Sequence, residues 1–116
     1  MSKQEIKIIT KIIRELSLFL MMHGFKDFGI QTKNTPDTTS FIITMDHPKE
    51  SFINHMREKL EREREMEVET YGWELIGDID GKTELEILGL LIDSIDVVKE
   101  EDKTIITLVR KNRYLD

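Results

Sequence analysis

Histidines are the first side chains in this sequence whose type could support chemistry, because imidazole is a common metal ligand. His47 and His55 stand eight residues apart across a proline, and no HExxH or similar ligand spacing includes them. His23 falls at the predicted end of a helix, where an imidazolium complements the helix dipole. We therefore interpret the three histidines as surface or capping residues and expect no metal site.

Pairs of acidic residues could support general acid–base catalysis, and they occur at Asp93 and Asp96 and at Glu84 and Glu86. Asp and Glu make up 23 of the 116 residues, so such neighbours are common by chance. We interpret these carboxylates as parts of solvated surfaces. The usual phosphate-binding glycine loops, GxxxxGK[ST] and GxGxxG, do not occur in the sequence.

The overall charge argues against a nucleic-acid partner. The 23 acidic residues outnumber 17 Lys and Arg, which gives a formal net charge of −6, whereas phosphate contacts require a basic face. The chain has no cysteine, no apolar run of 18 residues and no signal-peptide pattern, so we expect a cytoplasmic protein without a membrane span. A basic cluster near the carboxyl end is interpreted as a solvated terminal strand; it comprises Lys99, Lys103, Arg110, Lys111 and Arg113.

Side chains that could contact a partner protein lie in the middle of the chain. Residues 61–65 alternate acidic and basic side chains and leave no buried face, so Arg62 and Arg64 are expected to project into water or to meet a partner. Tyr71 and Trp73 follow in a glycine-flanked connection. We expect Trp73 to anchor this connection on the core, and contact with a partner is the alternative.

A helix is predicted over residues 3–23. Ser2 and Glu5 form a capping box at its start, in which each side chain is expected to accept a hydrogen bond from the other residue's backbone amide. Apolar residues then recur at steps of three and four and form a stripe of Ile6, Ile9, Ile13, Leu16 and Leu20, which is widened by Ile8, Ile12 and Phe19. Gly24 should end the helix, because glycine adopts the left-handed cap without a steric penalty.

A hairpin and a second helix follow. Strands are predicted at 28–33 and 39–45, on either side of a turn that contains proline. Pro48 should open the next helix, with Asp46 or His47 as its cap.

The last third of the chain predicts another helix and another hairpin. A capping box of Thr83 and Glu86 starts the helix, and the strands are expected at 95–99 and 104–110. The order is then helix, strand, strand, helix, helix, strand, strand, in a single domain of residues 1–116. We expect an α+β fold of two layers, in which one mixed or antiparallel sheet of about four strands carries three helices on one face.

Both ends of the chain carry a family resemblance. Residues 12–25, IIRELSLFLMMHGF, precede a hairpin that leads to Asp46, and residues 88–98 precede the strand 104–109. These segments resemble the first conserved helix, the early strands and the last helix and hairpin of the histidine-kinase-like ATPase (GHKL) fold. The small anti-sigma-factor serine kinases are most similar, because their first helix also ends in His-Gly-aromatic.

The resemblance implies roles for three residues. Glu15 stands at the position of the family glutamate that polarises the attacking group, and Asp46 at that of the aspartate that reads the adenine amino group. Thr104 matches a threonine that supports the adenine site. The magnesium-binding asparagine of the family is replaced by Phe19, which cannot ligand a cation.

The glycine boxes of that family are also replaced. Residues 47–50, His-Pro-Lys-Glu, stand where glycines would let the backbone approach a nucleotide, and residues 83–86, Thr-Glu-Leu-Glu, add negative charge where phosphates would lie. We therefore expect a degenerate member of the family that has lost magnesium and phosphate binding and uses no cofactor.

Three function hypotheses follow. The first is a non-catalytic regulatory or interaction protein on this scaffold, whose protein partner contacts Arg62, Arg64, Tyr71 or Trp73. The second is a divergent ATP-binding protein-serine kinase with Glu15 as its base. The third is a small-molecule sensor that binds an uncharged or cationic ligand in an acidic cleft between sheet and helices. The lost magnesium and phosphate ligands favour the first hypothesis.

Overall fold

The helices and strands of this protein follow one another in the order that the sequence predicts. The structure, a computed structural model, describes residues 1–60 and 84–114. The α+β class, with helices against one face of an antiparallel sheet, is confirmed. The elements are α1 (Lys3–Met22), β1 (Phe28–Asn34), β2 (Thr38–Met45), α2 (Glu50–Leu60), α3 (Glu84–Leu91), β3 (Ser94–Lys99) and β4 (Thr104–Lys111).

The four strands pair antiparallel in the order β1-β2-β4-β3, which puts β2 and β4 at the centre of the sheet. Their register sets Phe41 opposite Leu108 and Ile43 opposite Ile106. Successive side chains of a strand point to opposite faces. Every second residue of the two central strands is therefore buried under the helices, and the residues between them are half-buried or exposed.

The first helix covers the buried face of the sheet and packs on α3. Ile8, Ile12, Leu16 and Leu20 recur every four residues and are fully buried in the core. The predicted stripe is therefore only partly confirmed, because its first member, Ile6, is exposed and Ile13 is only partly buried. The predicted end of the helix is also confirmed, since Gly24 follows the cap with a positive φ of 88°.

The second helix begins later than the sequence predicts. It starts at Glu50, two residues after Pro48, and the carbonyl of Lys49 accepts the first helical hydrogen bonds. The predicted cap at Asp46 or His47 is wrong. Both side chains instead bind groups at the β3–β4 turn, so they are not available to cap α2.

A buried ion pair joins the first helix to the last strand. The side chains of Arg110 and Glu5 are 0% and 1% exposed, and the guanidinium donates to both carboxylate oxygens, with Nη2 3.2 Å from Oε2. Arg110 Nη1 also donates to the carbonyl of Leu91 at 3.0 Å, and the backbone amide of Tyr114 donates to Glu5 Oε2 at 3.2 Å. The two ends of the chain therefore meet at one bidentate pair.

This ion pair corrects two predictions. Ser2 Oγ accepts a hydrogen bond from the Glu5 amide at 3.1 Å, as the capping box requires, but the Glu5 carboxylate is turned toward Arg110 instead of back to Ser2. The basic cluster at the carboxyl end is also not simply solvated, because Arg110 lies in the core. Both errors have one cause, a pairing between residues 105 positions apart.

Across residues 1–60 and 84–114, no helix combines the length and apolar character needed to cross a membrane. The predicted cap Thr83 lies outside the described residues.

Removal of one ionic partner should destabilise the fold strongly. Arg110→Met leaves the Glu5 carboxylate buried without its cation, so the free energy of unfolding should fall by about 3–5 kcal/mol. The double variant Glu5→Leu/Arg110→Met should recover most of that loss, because it removes both buried charges. Urea unfolding followed by circular dichroism measures both effects.

Arg14→Met is the matched control for this experiment. Arg14 is exposed, and its partner Glu15 keeps a second cation in Lys11, so the loss should stay below about 1 kcal/mol. A loss as small as this in Arg110→Met would contradict a structural role for the buried pair.

Candidate functional site

The three histidines come from different parts of the fold and line one pocket. The pocket lies where the end of α1 meets the start of α2, and its volume is about 550 Å³. Small-molecule sites typically measure roughly 300–1,000 Å³, so it is large enough for a ligand of modest size. Its lining, called here the histidine pocket, comprises His23, Phe25, His47, Pro48, Lys49, Ser51, Phe52 and His55.

Aromatic rings form the apolar wall of the histidine pocket. Phe52 stacks on Phe19 of α1 with ring centroids 5.3 Å apart. Phe25 and His23 approach Phe52 edge-on, at centroid distances of 5.0 and 5.5 Å. Such tilted and stacked contacts are the favoured geometries of aromatic pairs. They hold α2 against the end of α1 and so define the position of the pocket.

The imidazole of His23 is oriented by the helix that it ends. His23 Nδ1 lies 2.9 Å from the carbonyl oxygen of Phe19, and this oxygen can only accept a hydrogen bond. Nδ1 therefore carries the hydrogen, which leaves Nε2 as the nitrogen available to a ligand. The predicted capping role of His23 is confirmed, and all three histidines lie at the surface, also as predicted.

His47 is fixed through both of its ring nitrogens. Nδ1 lies 2.7 Å from Oγ1 of the buried Thr104, and Nε2 lies 3.2 Å from the carbonyl oxygen of Glu101. Since the Glu101 carbonyl can only accept, Nε2 donates to it, and Nδ1 of the neutral ring accepts from the Thr104 hydroxyl. His47 is therefore a rigid wall of the pocket with its polar atoms already used.

Among the described residues, the lining of the histidine pocket contains no carboxylate. This pocket is not the cleft between sheet and helices for which we expected an acidic lining, so that expectation stays a prediction. The nearby acids are paired with lysines. Asp46 Oδ1 lies 2.8 Å from Lys103 Nζ, and Glu50 forms an ion pair with Lys99. The hydrogen bonds and charges of these lysines hold the pKa values of Asp46 and Glu50 below their ordinary values.

The structure brings two of the residues implied by the resemblance close together and leaves the third apart. Asp46 follows Met45, which pairs with Thr104 across the sheet. Glu15 is largely buried on α1, where its Oε1 lies 3.0 Å from Lys11 Nζ and 2.9 Å from Arg14 Nη1, and it does not line the histidine pocket. The predicted partner contacts lie outside the described residues: Arg62, Arg64, Tyr71 and Trp73.

The prediction that Asp93 belongs to a solvated surface is wrong. The Asp93 side chain is only 9% exposed, its Oδ2 accepts from the backbone amide of Lys111 at 2.6 Å, and its Oδ1 lies 3.9 Å from Arg113 Nη2. Asp96 is exposed, as predicted. Asp93 therefore has a structural role, which holds the end of β4 next to the start of β3.

Sequence patterns did not point to Lys49, Ser51 and Phe52 as site residues. A signal was present, because Ser51, Phe52 and His55 are three and four residues apart and so share one side of α2. This spacing could not show that His23 and His47, which lie outside α2, approach the same side of that helix. In the described parts of the chain, no group of three or more His, Asp or Glu could hold a metal ion.

Comparisons with protein-family models, with curated proteins and with solved structures found no match. The resemblance to the histidine-kinase-like ATPase fold therefore stays a prediction from the sequence. The function has to be argued from the side chains of this chain.

The pKa of Asp46 should lie below 3.8 when it is measured by NMR titration of the carboxyl carbon. A depressed pKa means that the charged carboxylate stabilises the fold above pH 3.8, and that this stabilisation is lost as the pH falls through the depressed pKa. Lys103→Gln should return the Asp46 pKa toward 3.8, because it removes both the hydrogen bond and the charge.

The control is Lys33→Gln, since Lys33 lies at the opposite end of β1 and should not affect Asp46. An Asp46 pKa that stays the same in Lys103→Gln would show that the ion pair does not form in solution.

Proposed function

We propose that this chain is a non-catalytic regulatory domain of the cytoplasm that acts by binding a protein partner, on a scaffold similar to the histidine-kinase-like ATPases. The observation that carries the proposal concerns the three side chains that an ATP site of that family would use. Each of them is engaged by other groups of the chain itself.

The engagement of Glu15 argues against a catalytic role. Its Oε1 accepts from Arg14 and also lies beside Lys11. A base must stand within hydrogen-bond reach of the group that it activates, and the Glu15 side chain is largely buried outside the histidine pocket. Its contacts fit an ion pair that stabilises α1.

Asp46 and Thr104, which the resemblance assigns to adenine recognition, are also bound to other side chains of the chain. Asp46 binds Lys103 at 2.8 Å, and Thr104 is in hydrogen-bond contact with His47 at 2.7 Å. Pro48 fixes the backbone where the family has flexible glycines. The polyphosphate of ATP would also meet a chain with a net charge of −6, which opposes its approach unless a metal compensates.

A protein partner is favoured by large apolar side chains that remain exposed. Met21 and Met22, at the end of α1, are 63% and 70% exposed. Flexible, polarisable methionines are frequent at protein-binding surfaces. We propose that the partner contacts this end of α1 together with Arg62, Arg64, Tyr71 and Trp73.

Calorimetric titration tests the non-catalytic part of the proposal. The purified chain should give no saturable, magnesium-dependent heat with ATP or ADP up to about 1 mM, a limit that excludes binding stronger than about −4 kcal/mol. Micromolar binding that requires magnesium, together with phosphoryl transfer that Glu15→Ala abolishes, would overturn the proposal in favour of the serine-kinase alternative.

Affinity capture tests the partner. The wild-type chain should retain a partner from its native cytoplasm, and Arg62→Glu/Arg64→Glu should lose it, because two charges of the proposed contact are reversed. Lys7→Glu/Lys33→Glu is the matched control, since it reverses two exposed charges, in the first half of α1 and at the far end of β1, away from the proposed contact. Equal capture by both double variants would exclude the contact at Arg62 and Arg64.

A further inference from the structure

We propose that the histidine pocket binds a small, flat organic monocarboxylate, with its ring against the phenylalanines and its carboxylate at the Lys49 side. This inference goes beyond the proposed protein partner and does not depend on it. It rests on three features that the described residues combine in one cavity: an aromatic wall, the Lys49 and His55 side chains, to which no other described group is bonded, and a lining without an acidic residue.

The apolar part of the ligand is indicated by Phe25, Phe52 and Pro48. These three residues line the cavity, and the two phenylalanine rings pack edge to face at 5.0 Å. A flat ring that enters the cavity can extend this aromatic packing and bury its own apolar surface. The volume of about 550 Å³ is sufficient for one or two fused rings.

The charge of the ligand is indicated by Lys49 and His55. Within the described residues, the Lys49 ammonium and the His55 ring have no ion pair or hydrogen bond, so both can donate to a ligand. His23 is not counted among these donors, because the hydrogen of its neutral ring lies on Nδ1, which binds the Phe19 carbonyl. An ammonium or imidazole N–H can donate to a carboxylate, and such charge-assisted bonds are stronger than neutral ones.

An anion can bind in the pocket because the neighbouring acidic residues are already paired with lysines. Asp46 and Glu50 are held by Lys103 and Lys99 and do not line the cavity, so they do not compete for its cationic groups. Repulsion from a chain with net charge −6 still acts on any anion. A ligand with one negative charge is therefore favoured over a polyphosphate.

Indole-3-acetate and its neutral analogue indole-3-acetamide are suitable probes, because they have the same shape and differ in charge. All three histidines of the chain line this pocket, so every histidine ring signal in an NMR titration reports on it. Indole-3-acetate should shift these signals saturably with a Kd on the order of 1 mM. It should bind about fivefold more tightly than the amide.

Two variants test whether Lys49 binds the carboxylate of the ligand. Lys49→Gln should weaken indole-3-acetate binding about threefold and leave the amide unaffected. Lys59→Gln is the matched control, because Lys59 is an exposed lysine near the other end of α2 that does not line the pocket, whereas Lys49 directly precedes that helix. Circular dichroism should show that both variants stay folded, since both side chains lie at the surface.

Three outcomes would overturn the inference. The first is no saturable histidine shift up to about 5 mM indole-3-acetate. The second is equal binding of the acid and the amide, which would mean that the cavity recognises only the ring. The third is equal weakening in Lys49→Gln and Lys59→Gln, which would mean that the anion responds to the general positive charge of this region and not to Lys49 itself.

Discussion

The buried pairing of Glu5 with Arg110 is the contact on which the arrangement of the other elements depends. Charges removed from water are tolerated only when their hydrogen-bonding capacity is met, and here the carboxylate accepts from Arg110 and Tyr114 while the guanidinium also donates to the Leu91 carbonyl. Apolar contacts are non-directional, whereas this bidentate pair has a defined geometry. It therefore fixes where α1 lies against α3 and β4.

The histidine pocket follows from that placement. A helix of 20 residues spans about 30 Å. The ion pair holds the first turn of α1, and buried side chains from Ile8 to Leu20 hold the rest of the helix on the core, so the position of its last turn is determined as well. At that end, His23 and Phe25 meet Phe52, and the aromatic stack on Phe19 holds α2 in place. The pocket is thus a product of how two helices are docked.

Ion pairs at one end of the sheet determine the charge around the histidine pocket, which differs from the negative net charge of the whole chain. The overall charge is −6, yet the pocket lining contains a lysine and three histidines and no acid, because Asp46 and Glu50 are bound to the lysines of β3 and of the β3–β4 turn. The same pairing occupies Asp46, the residue to which the proposed family resemblance would assign adenine recognition. One set of contacts therefore supports both a non-catalytic role and a pocket for a small anion.

The sequence by itself determined the order of elements, the helix stripes, the strand alternation and the glycine stop at Gly24, because each depends on residues a few positions apart. It also identified the histidines as surface residues. Only the tertiary structure decided that Arg110 is buried, that Asp93 binds the backbone of β4, and that His47 joins Thr104 instead of capping α2. These contacts join distant residues, and local patterns carry no information on which side chains the packing of helices on a sheet will bring together.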